Sequence, residues 1–134
     1  MVKISNEWLG GFFDGEGCVS ITNSHSRRTG KRQLKLYVRI TQKNTSILQA
    51  IKARLGGTLR MNKGKSCGYL EYTCKKAERF LKVIAPFVIV KWEVVELALK
   101  YRSLVGPRSY RTPKKIKEQM LEIRKKIMEL NAAD

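Results

Sequence analysis

Four stretches of the chain alternate between apolar and polar residues, which is the period of a strand with one buried face. The turns between them are polar and contain glycine: Arg27 to Arg32 joins the first pair, and Lys63 to Gly68 joins the second. We therefore predict two β-hairpins. Their strands are expected at Cys18 to Thr22, Gln33 to Ile40, Thr58 to Asn62 and Tyr69 to Cys74.

Around these hairpins, apolar residues recur at spacings of three and four, which indicates helices. The first helix begins after a cap at Ser5 or Asn6, runs through Phe13, and is expected to end at Gly15 and Gly17. The order α-β-β-α-β-β-α, followed by further helices, predicts one α+β domain over residues 1–134, with a four-stranded antiparallel sheet backed by helices. The later helices are predicted at Asn44 to Leu55, Lys75 to Ile84, Trp92 to Leu99 and Ile116 to Leu130.

The stretch Leu9 to Gly17 carries four glycines in nine residues. A glycine inside a helix costs roughly 1 kcal/mol relative to alanine, so Gly10 and Gly11 in an apolar run need a structural reason. Gly11 and Gly15 are four positions apart and therefore lie on one helical face. Because this face lacks side chains, we expect another helix to pack closely against it.

Asp14 and Glu16 close this stretch, and no further acidic residue occurs before Glu71, whereas lysine and arginine are frequent. Two interpretations are open. The carboxylates could simply end the helix in solvent, although negative charge is disfavoured at a helix C-terminus. Alternatively, they bind a cation such as Mg²⁺, which is commonly held by one or two carboxylates with water and phosphate completing its shell.

The charge balance narrows the class of partner. Twenty-eight Lys and Arg against 11 Asp and Glu give a formal charge of +17, which predicts a polyanion, with nucleic acid first and a membrane surface second. No stretch has the apolar length of a membrane-spanning helix, and the N-terminus lacks a signal peptide's apolar core. We therefore expect an intracellular protein, in the cytoplasm of a prokaryote or in an organelle.

Cysteine and histidine usage excludes several chemistries. Cys18, Cys67 and Cys74 form no C-x-x-C pair, so neither a disulfide framework nor a zinc knuckle is supported. His25 is the only histidine, which excludes a mechanism with two imidazoles. Hydrolytic chemistry, if present, must come from carboxylate and metal.

The nine residues Leu9 to Gly17 resemble the LAGLIDADG motif of homing endonucleases, with Gly10 at the alanine position and Glu16 at the final acidic position. The resemblance covers about residues 5–100. It implies a saddle-shaped sheet lying along the DNA major groove and, for a chain with one motif, a homodimer whose motif helices pack together. The implied dimer interface consists of Leu9, Gly10, Gly11, Phe12, Asp14 and Gly15.

The resemblance also implies an active site. Glu16 and the carbonyl of Gly15 would bind Mg²⁺ or a substituting divalent cation, Gln42 would orient water, and Lys91 would stabilise negative charge or polarise the water network. From the residues alone, the favoured interpretation of Lys91 is an interfacial lysine whose stem packs beside Trp92.

Three positions near this site need a separate interpretation. By resemblance, Asp14 supports helix packing and the turn and does not contact metal. Ser46 stands where members of the family can carry a further basic residue. The alternation breaks between Arg39 and Gln42, so the placement of Gln42 rests on the resemblance alone.

One polar face of the predicted sheet offers donors and acceptors suited to base edges in a major groove, and a solvated polar face is the alternative. Strands of about ten residues would span ~33 Å, or about ten base pairs per subunit. Segment 108–134 begins with a basic loop, which is expected to bind DNA phosphates through Arg108, Arg111, Lys114 and Lys115. The candidate base-reading residues are Ser20, Thr22, Ser24, Gln33, Lys35, Tyr37, Arg39, Arg60, Asn62, Tyr69 and Glu71.

Three functions are compatible with these observations. The leading hypothesis is a Mg²⁺-dependent, site-specific endonuclease of the mobile-intron or intein type, which cuts double-stranded DNA at a long, nearly palindromic site. The second is an RNA-binding intron maturase on the same scaffold, which loss of the metal site would favour. The third is a non-catalytic basic nucleic-acid binder, which would need neither the acidic pair nor the glycine face.

Overall fold

The structure, a computed structural model, describes residues 3–25, 27–62, 67–106 and 112–133. The described residues form five α-helices, one 3-10 turn and a four-stranded antiparallel sheet, which confirms the predicted α+β class. In chain order the elements are α1 Asn6–Glu16, β1 Gly17–His25, β2 Arg32–Gln42, α2 Thr45–Leu55, β3 Thr58–Met61, β4 Gly68–Thr73, α3 Cys74–Ile84, the 3-10 turn Ala85–Phe87, α4 Trp92–Leu104 and α5 Lys114–Ala133.

The sheet has the strand order β1-β2-β4-β3, and every neighbouring pair is antiparallel. Val19 lies opposite Val38, and Ile21 lies opposite Leu36, so the apolar residues of the first hairpin share one face. All four are buried, while the residues between them point to the other face. The sheet therefore has one face in the core and one open face, as the alternation predicts.

Strand length differs from expectation. β1 and β2 have 9 and 11 residues, but β3 and β4 have only 4 and 6. The estimate of about ten residues per strand therefore holds for the first hairpin, whose strands extend beyond their predicted bounds. The strands of the second hairpin are shorter than this estimate and lie close to their predicted bounds. Cys74, placed in a strand by its alternation with Thr73, instead begins α3 with a φ of 53°.

The core lies between the inner face of the sheet and the helices. Phe13 of α1, Tyr72 of β4 and Phe80 of α3 are each at most 1% exposed and meet at its centre. The ring centroids of Tyr72 and Phe80 are 4.5 Å apart, and those of Phe13 and Phe80 are 5.5 Å apart, which are favourable distances for aromatic pairs. This cluster fixes α1 against the sheet.

The first helix has the predicted start, and of the two glycines predicted to end it, only Gly17 is the C-cap. The Ser5 side chain accepts a hydrogen bond from the Trp8 N–H at 3.1 Å, as an N-cap does. Gly15 does not end the helix, which continues to Glu16, and Gly17 has an ordinary extended φ of −88°. Glycine is needed at position 17 for space, because a Cβ there would lie 2.3 Å from the Phe13 ring.

The C-terminal helix covers one edge of the sheet. The Arg124 Nε donates to the Ile21 carbonyl, and the Asn131 Nδ2 donates to the Val19 carbonyl, both at 2.9 Å. These carbonyls belong to β1, an edge strand whose outer carbonyls have no neighbouring strand. The α5 side chains therefore satisfy backbone acceptors that a further strand would otherwise use.

Among the described helices, none combines the length and apolar character required to cross a bilayer.

The tight packing of Gly10 generates a testable prediction. An alanine Cβ at this position would lie 2.5 Å from the Phe87 Cβ and 2.9 Å from the Phe87 carbonyl. We expect Gly10→Ala to lower the free energy of unfolding by about 1–3 kcal/mol, because the Phe87 backbone must shift. Chemical denaturation checks this. At an open helix position the same change gains up to about 1 kcal/mol, so an unchanged or higher midpoint would contradict the contact.

Candidate active site and nucleic-acid interface

Asp14 ties the first helix to the beginning of α4. Its carboxylate accepts backbone N–H bonds from Ile89 at 2.7 Å, from Val90 at 3.1 Å and from Lys91 at 3.0 Å. These N–H groups immediately precede α4, so the negative charge lies at the positive end of that helix. The charge that is disfavoured at the end of its own helix therefore stabilises the start of another.

Lys91 completes a reciprocal exchange between the two helix ends. Its ammonium donates to the Asp14 carbonyl at 2.8 Å, so a cation meets one of the carbonyls at the C-terminus of α1. The Asp14 carbonyl that accepts this bond belongs to the residue two positions before Glu16, so the bond anchors the Lys91 ammonium at the end of α1. The half-buried lysine is thus directed by a backbone acceptor, and packing of its stem alone does not account for its position.

Glu16 is the last residue of α1, and its side chain is exposed. Across the described residues, no hydrogen bond or ion pair occupies its carboxylate. Gly17 begins β1 and pairs with Ile40, so Glu16 lies at the end of the sheet where β2 finishes. The placement leaves the carboxylate accessible beside the open face.

Gln42 lies at this same end of the sheet. It is the last residue of β2 and pairs with Gly68. The alternation from Arg39 onwards is unbroken, contrary to the sequence interpretation, so Gln42 has the inward parity of Ile40 and not the outward parity of Arg39. Its side-chain oxygen accepts from the N–H of Lys43 at 2.9 Å and of Asn44 at 3.4 Å. The oxygen is therefore engaged in the turn before α2, and the amide NH₂ is left as the group that can donate outward.

The donor set near Glu16 can be tested for a metal. Over the part of the chain that the structure describes, no three His, Cys, Asp or Glu side chains converge. Glu16 offers one exposed carboxylate, and the Gly15 carbonyl lies in the last turn, where helix carbonyls lack intrahelical donors. This all-oxygen set suits Mg²⁺, which retains several waters, and the remaining ligands would come from water, phosphate and a second carboxylate.

The open face of the sheet brings together the predicted base-reading residues. Ser20 lies opposite Tyr37, Thr22 opposite Lys35, and Ser24 opposite Gln33 across the first hairpin. On the second hairpin Arg60 lies opposite Tyr69, and Asn62 follows β3, where its side chain donates to the Cys67 Sγ at 3.2 Å. The strand register therefore places these residues on the side away from the core.

Glu71 is the acidic exception on this face. Its carboxylate accepts from the Tyr37 hydroxyl at 2.5 Å and from the Arg60 Nε at 2.6 Å. The Tyr37 bond, with Arg60, holds the pKa of the Glu71 carboxyl below its usual range, and burial with the neighbouring carboxylate raises the pKa of Tyr37 to about 12. Nearby, the Arg39 guanidinium lies over the Tyr69 ring, 5.3 Å from its centroid.

The predicted dimer residues separate into two groups. Leu9 is fully buried in the core of its own chain, and Gly10 packs on Phe87, so neither is available to a partner. Their apolar character serves the fold, and these two assignments are corrected. Gly11 and Gly15 are exposed, and a Cβ added at either would meet no atom within 4 Å.

The open glycine positions are accompanied by exposed apolar side chains. Trp8 is 44% exposed and stacks on the half-buried Phe12, with ring centroids 4.8 Å apart. Ile89, Val90 and Trp92 are 79%, 66% and 51% exposed, and the first two are held to α1 by Asp14. Sequence reasoning missed this turn, although the apolar residues that follow Pro86 without helical spacing were a signal.

The predicted phosphate-binding residues are only partly placed. Arg108 and Arg111 lie outside the described residues. Lys114 and Lys115 are exposed and begin α5, where backbone N–H groups add positive potential.

Comparison with solved structures places this fold among homing endonucleases. The chain is similar to I-CvuI in complex with a DNA target in the presence of Mg, with a TM-score of 0.80, 21% identity, and coverage of 93% of this chain and 80% of that one. It is similar to the archaeal intron-encoded I-Vdi141I complexed with DNA, with a TM-score of 0.78, 22% identity and coverage of 93% and 82%. It is also similar to the homing endonuclease I-TnaI, with a TM-score of 0.74, 22% identity, and coverage of 98% of this chain and 99% of that one.

The sequence itself identifies the family. A family model described as LAGLIDADG endonuclease matches residues 9–91, which is more than half of the chain. A search of curated proteins gives no match. The chain belongs to the LAGLIDADG endonuclease family.

The three backbone hydrogen bonds that the Asp14 carboxylate accepts predict that its replacement by asparagine destabilises the protein. An asparagine can present only one carbonyl oxygen, so in Asp14→Asn at least one of the N–H groups of residues 89–91 faces an amide NH₂. We expect this variant to lose about 1–3 kcal/mol of unfolding free energy. Hydrogen exchange at these amides locates the effect. Equal protection in both proteins would show that the carboxylate does not hold the turn.

Proposed function

We propose that this protein is a divalent-metal-dependent, site-specific DNA endonuclease that acts as a homodimer on a long, nearly palindromic duplex site. The observation that carries the proposal is the position of Glu16, an exposed carboxylate at the end of a glycine-faced helix. It follows by two residues the Asp14 carbonyl that anchors the Lys91 ammonium, and it lies at one end of a sheet whose open face carries cationic side chains. Membership of the endonuclease family supports the reaction class.

Phosphodiester hydrolysis requires stabilisation of negative charge on the pentacovalent phosphate, an activated water and help for the leaving oxygen. A divalent cation such as Mg²⁺, when bound at Glu16, would supply Lewis-acid stabilisation and a bound water that is easier to deprotonate. Glu16 and the Gly15 carbonyl would hold this ion. Glu16 is oriented by the end of α1, which the Asp14 and Lys91 bonds fix.

In this proposal Lys91 and Gln42 each donate hydrogen bonds near the phosphate, but from different groups. The Lys91 ammonium is anchored on the Asp14 carbonyl and has two further N–H donors, which can stabilise charge developing on the phosphate. The Gln42 oxygen is engaged by backbone N–H groups, so its amide NH₂ donates to the oxygen of a water or phosphate. Both residues therefore act as donors.

We propose a homodimer because one chain supplies only one of the two sites needed to cut both DNA strands. One chain supplies a single exposed carboxylate at this position, whereas cutting two strands near a twofold axis needs two such sites. Gly11 and Gly15 leave a flat strip on α1, bordered by the exposed Trp8 and the half-buried Phe12. Exposed apolar side chains around such a strip are typical of a protein interface. The partner contributes the second Glu16 beside the first.

Double-stranded DNA is the proposed substrate, because the open face combines charge with hydrogen-bonding side chains. The formal charge of +17 supplies sequence-independent attraction to phosphate. Ser20, Thr22, Lys35 and Arg39 stand at alternate positions of two strands that span roughly 30–36 Å, or about ten base pairs per subunit. This length supports a site of two half-sites.

Glu16→Gln tests the catalytic proposal. The amide keeps the size of the side chain but loses the charge that holds the metal, so we expect cleavage to vanish while DNA binding survives. Without metal, binding tightens slightly, because each dimer loses two carboxylates beside the phosphates. Cleavage and affinity are measured at fixed salt and Mg²⁺.

Asp14→Asn is the matched control, since it alters the neighbouring carboxylate without touching the proposed ligand. It is expected to lower stability or dimerisation more than metal affinity. If Glu16→Gln cuts DNA at the wild-type rate, Glu16 is not the ligand and the catalytic proposal fails.

Gly11→Val tests the interface. A Cβ at position 11 meets no atom within 4 Å, so the monomer should fold, while the branched valine side chain blocks approach of a second α1. Light scattering at micromolar concentration should show a dimer for the wild type and a monomer for Gly11→Val. Ala132→Val, at an exposed position of α5, is the control and should remain dimeric. A monomeric wild type, with and without DNA, would refute the dimer.

A further inference from the structure

The acidic residue in the middle of the open face has a role that its charge alone does not suggest. Between Gly17 and Thr73, Glu71 is the only acidic residue in the sequence. A carboxylate beside phosphate weakens binding by like-charge repulsion, so its position on a face that meets DNA requires a compensating function. Its contacts identify that function.

Both oxygens of Glu71 already have donors. Oε2 accepts from the Tyr37 hydroxyl at 2.5 Å, and Oε1 accepts from the Arg60 Nε at 2.6 Å. The Glu71 side chain is only 16% exposed, whereas the Arg60 side chain is 57% exposed. Glu71 therefore lies beneath Arg60, and a base edge would meet the guanidinium before the carboxylate.

The three hydrogen-bonded residues Tyr37, Glu71 and Arg60 lie on three neighbouring strands. Tyr37 belongs to β2, Glu71 to β4 and Arg60 to β3, which lie side by side in the order β2-β4-β3. Tyr37 fixes one oxygen of the carboxylate, and the other oxygen fixes the guanidinium. A long arginine side chain is thereby held at both its backbone and its Nε, which lowers the entropy lost on binding.

The atom through which Arg60 contacts Glu71 determines which acceptors its guanidinium can still bind. Only its Nε is bonded to Glu71, so both terminal nitrogens can donate in parallel to a planar pair of acceptors. In the major groove, guanine presents two adjacent acceptors, N7 and O6, whereas adenine presents an acceptor beside a donor. A phosphate would also accept two bonds, but the carboxylate beneath the guanidinium offsets the charge attraction that makes a phosphate contact strong.

We propose that Arg60 reads a guanine in each half-site and that Glu71, held by Tyr37, is a positioning residue that contacts no base. This inference rests on the proposed DNA-binding function of the open face. It revises the sequence expectation that Glu71 and Tyr37 themselves read base edges.

The experiment measures binding of the full-length protein to a duplex library with randomised half-sites, in buffer without divalent metal so that no cleavage occurs. We expect wild type to prefer guanine at one half-site position by roughly 5- to 150-fold, the range of one bidentate contact. Arg60→Ala and Glu71→Ala should both reduce the preference at that same position. Tyr37→Phe, which keeps the ring, should reduce it less.

A double variant separates positioning from direct reading. If Glu71 acts through Arg60, adding Glu71→Ala to Arg60→Ala changes the preference at no position beyond the single Arg60→Ala change. Lys115→Ala is the control for phosphate binding and should weaken all sequences alike.

Other outcomes overturn the inference in distinguishable ways. Loss of a cytosine preference at a different position in Glu71→Ala would mean that Glu71 reads a base itself. Equal losses for all sequences in Arg60→Ala would make Arg60 a phosphate contact. If wild type itself selects no sequence, the proposed function fails; if wild type is selective but Arg60→Ala retains its full preference, only this inference fails.

Discussion

The exchange between Asp14 and Lys91 is the interaction on which the arrangement of this protein depends. A carboxylate from the end of α1 accepts the N–H groups that precede α4, and the ammonium from the start of α4 donates to a carbonyl at the end of α1. Each helix terminus thereby receives the charge that its dipole favours. Because this junction fixes both the end of α1, which carries Glu16, and the turn at residues 89–91, the geometry of the proposed active site and that of the apolar turn are set together.

Two carboxylates separated by one residue consequently have different environments. The Asp14 side chain accepts three backbone bonds and is committed to the fold, whereas the Glu16 side chain is exposed and carries the proposed chemistry. The helical turn of 3.6 residues directs them to different sides of α1. The sequence interpretation of Asp14 as a structural residue agrees with these bonds, although local sequence pattern could not identify its partners, which lie 75 to 77 positions further along the chain.

Periodicity predicted the fold well where one physical effect dominates. Alternation identified the open and buried faces of β1 and β2, because burial of one sheet face imposes a period of two. It failed for the glycine-rich helix, where Gly10 and Gly11 look alike in sequence but one faces Phe87 and the other faces solvent. Whether a missing side chain serves the interior or a partner depends on a contact with a distant residue, so local pattern could not separate these positions. The same limit applies to Leu9, whose burial is internal, and to Glu71, whose partners lie on other strands.

The strict alternation of the sheet also has an evolutionary consequence. Val38 and Ile40 are fully buried and maintain the interior, while the alternate residues Lys35 and Arg39 are exposed on the open face. Surface substitutions away from buried networks usually change stability by less than about 0.5 kcal/mol. Under the proposed function, drift at outward positions can therefore change the DNA sequence that the protein recognises while selection on the interior continues unchanged. Linked outward residues, as in the trio around Glu71, would have to change in concert, so adaptation there should proceed by coordinated rather than single replacements.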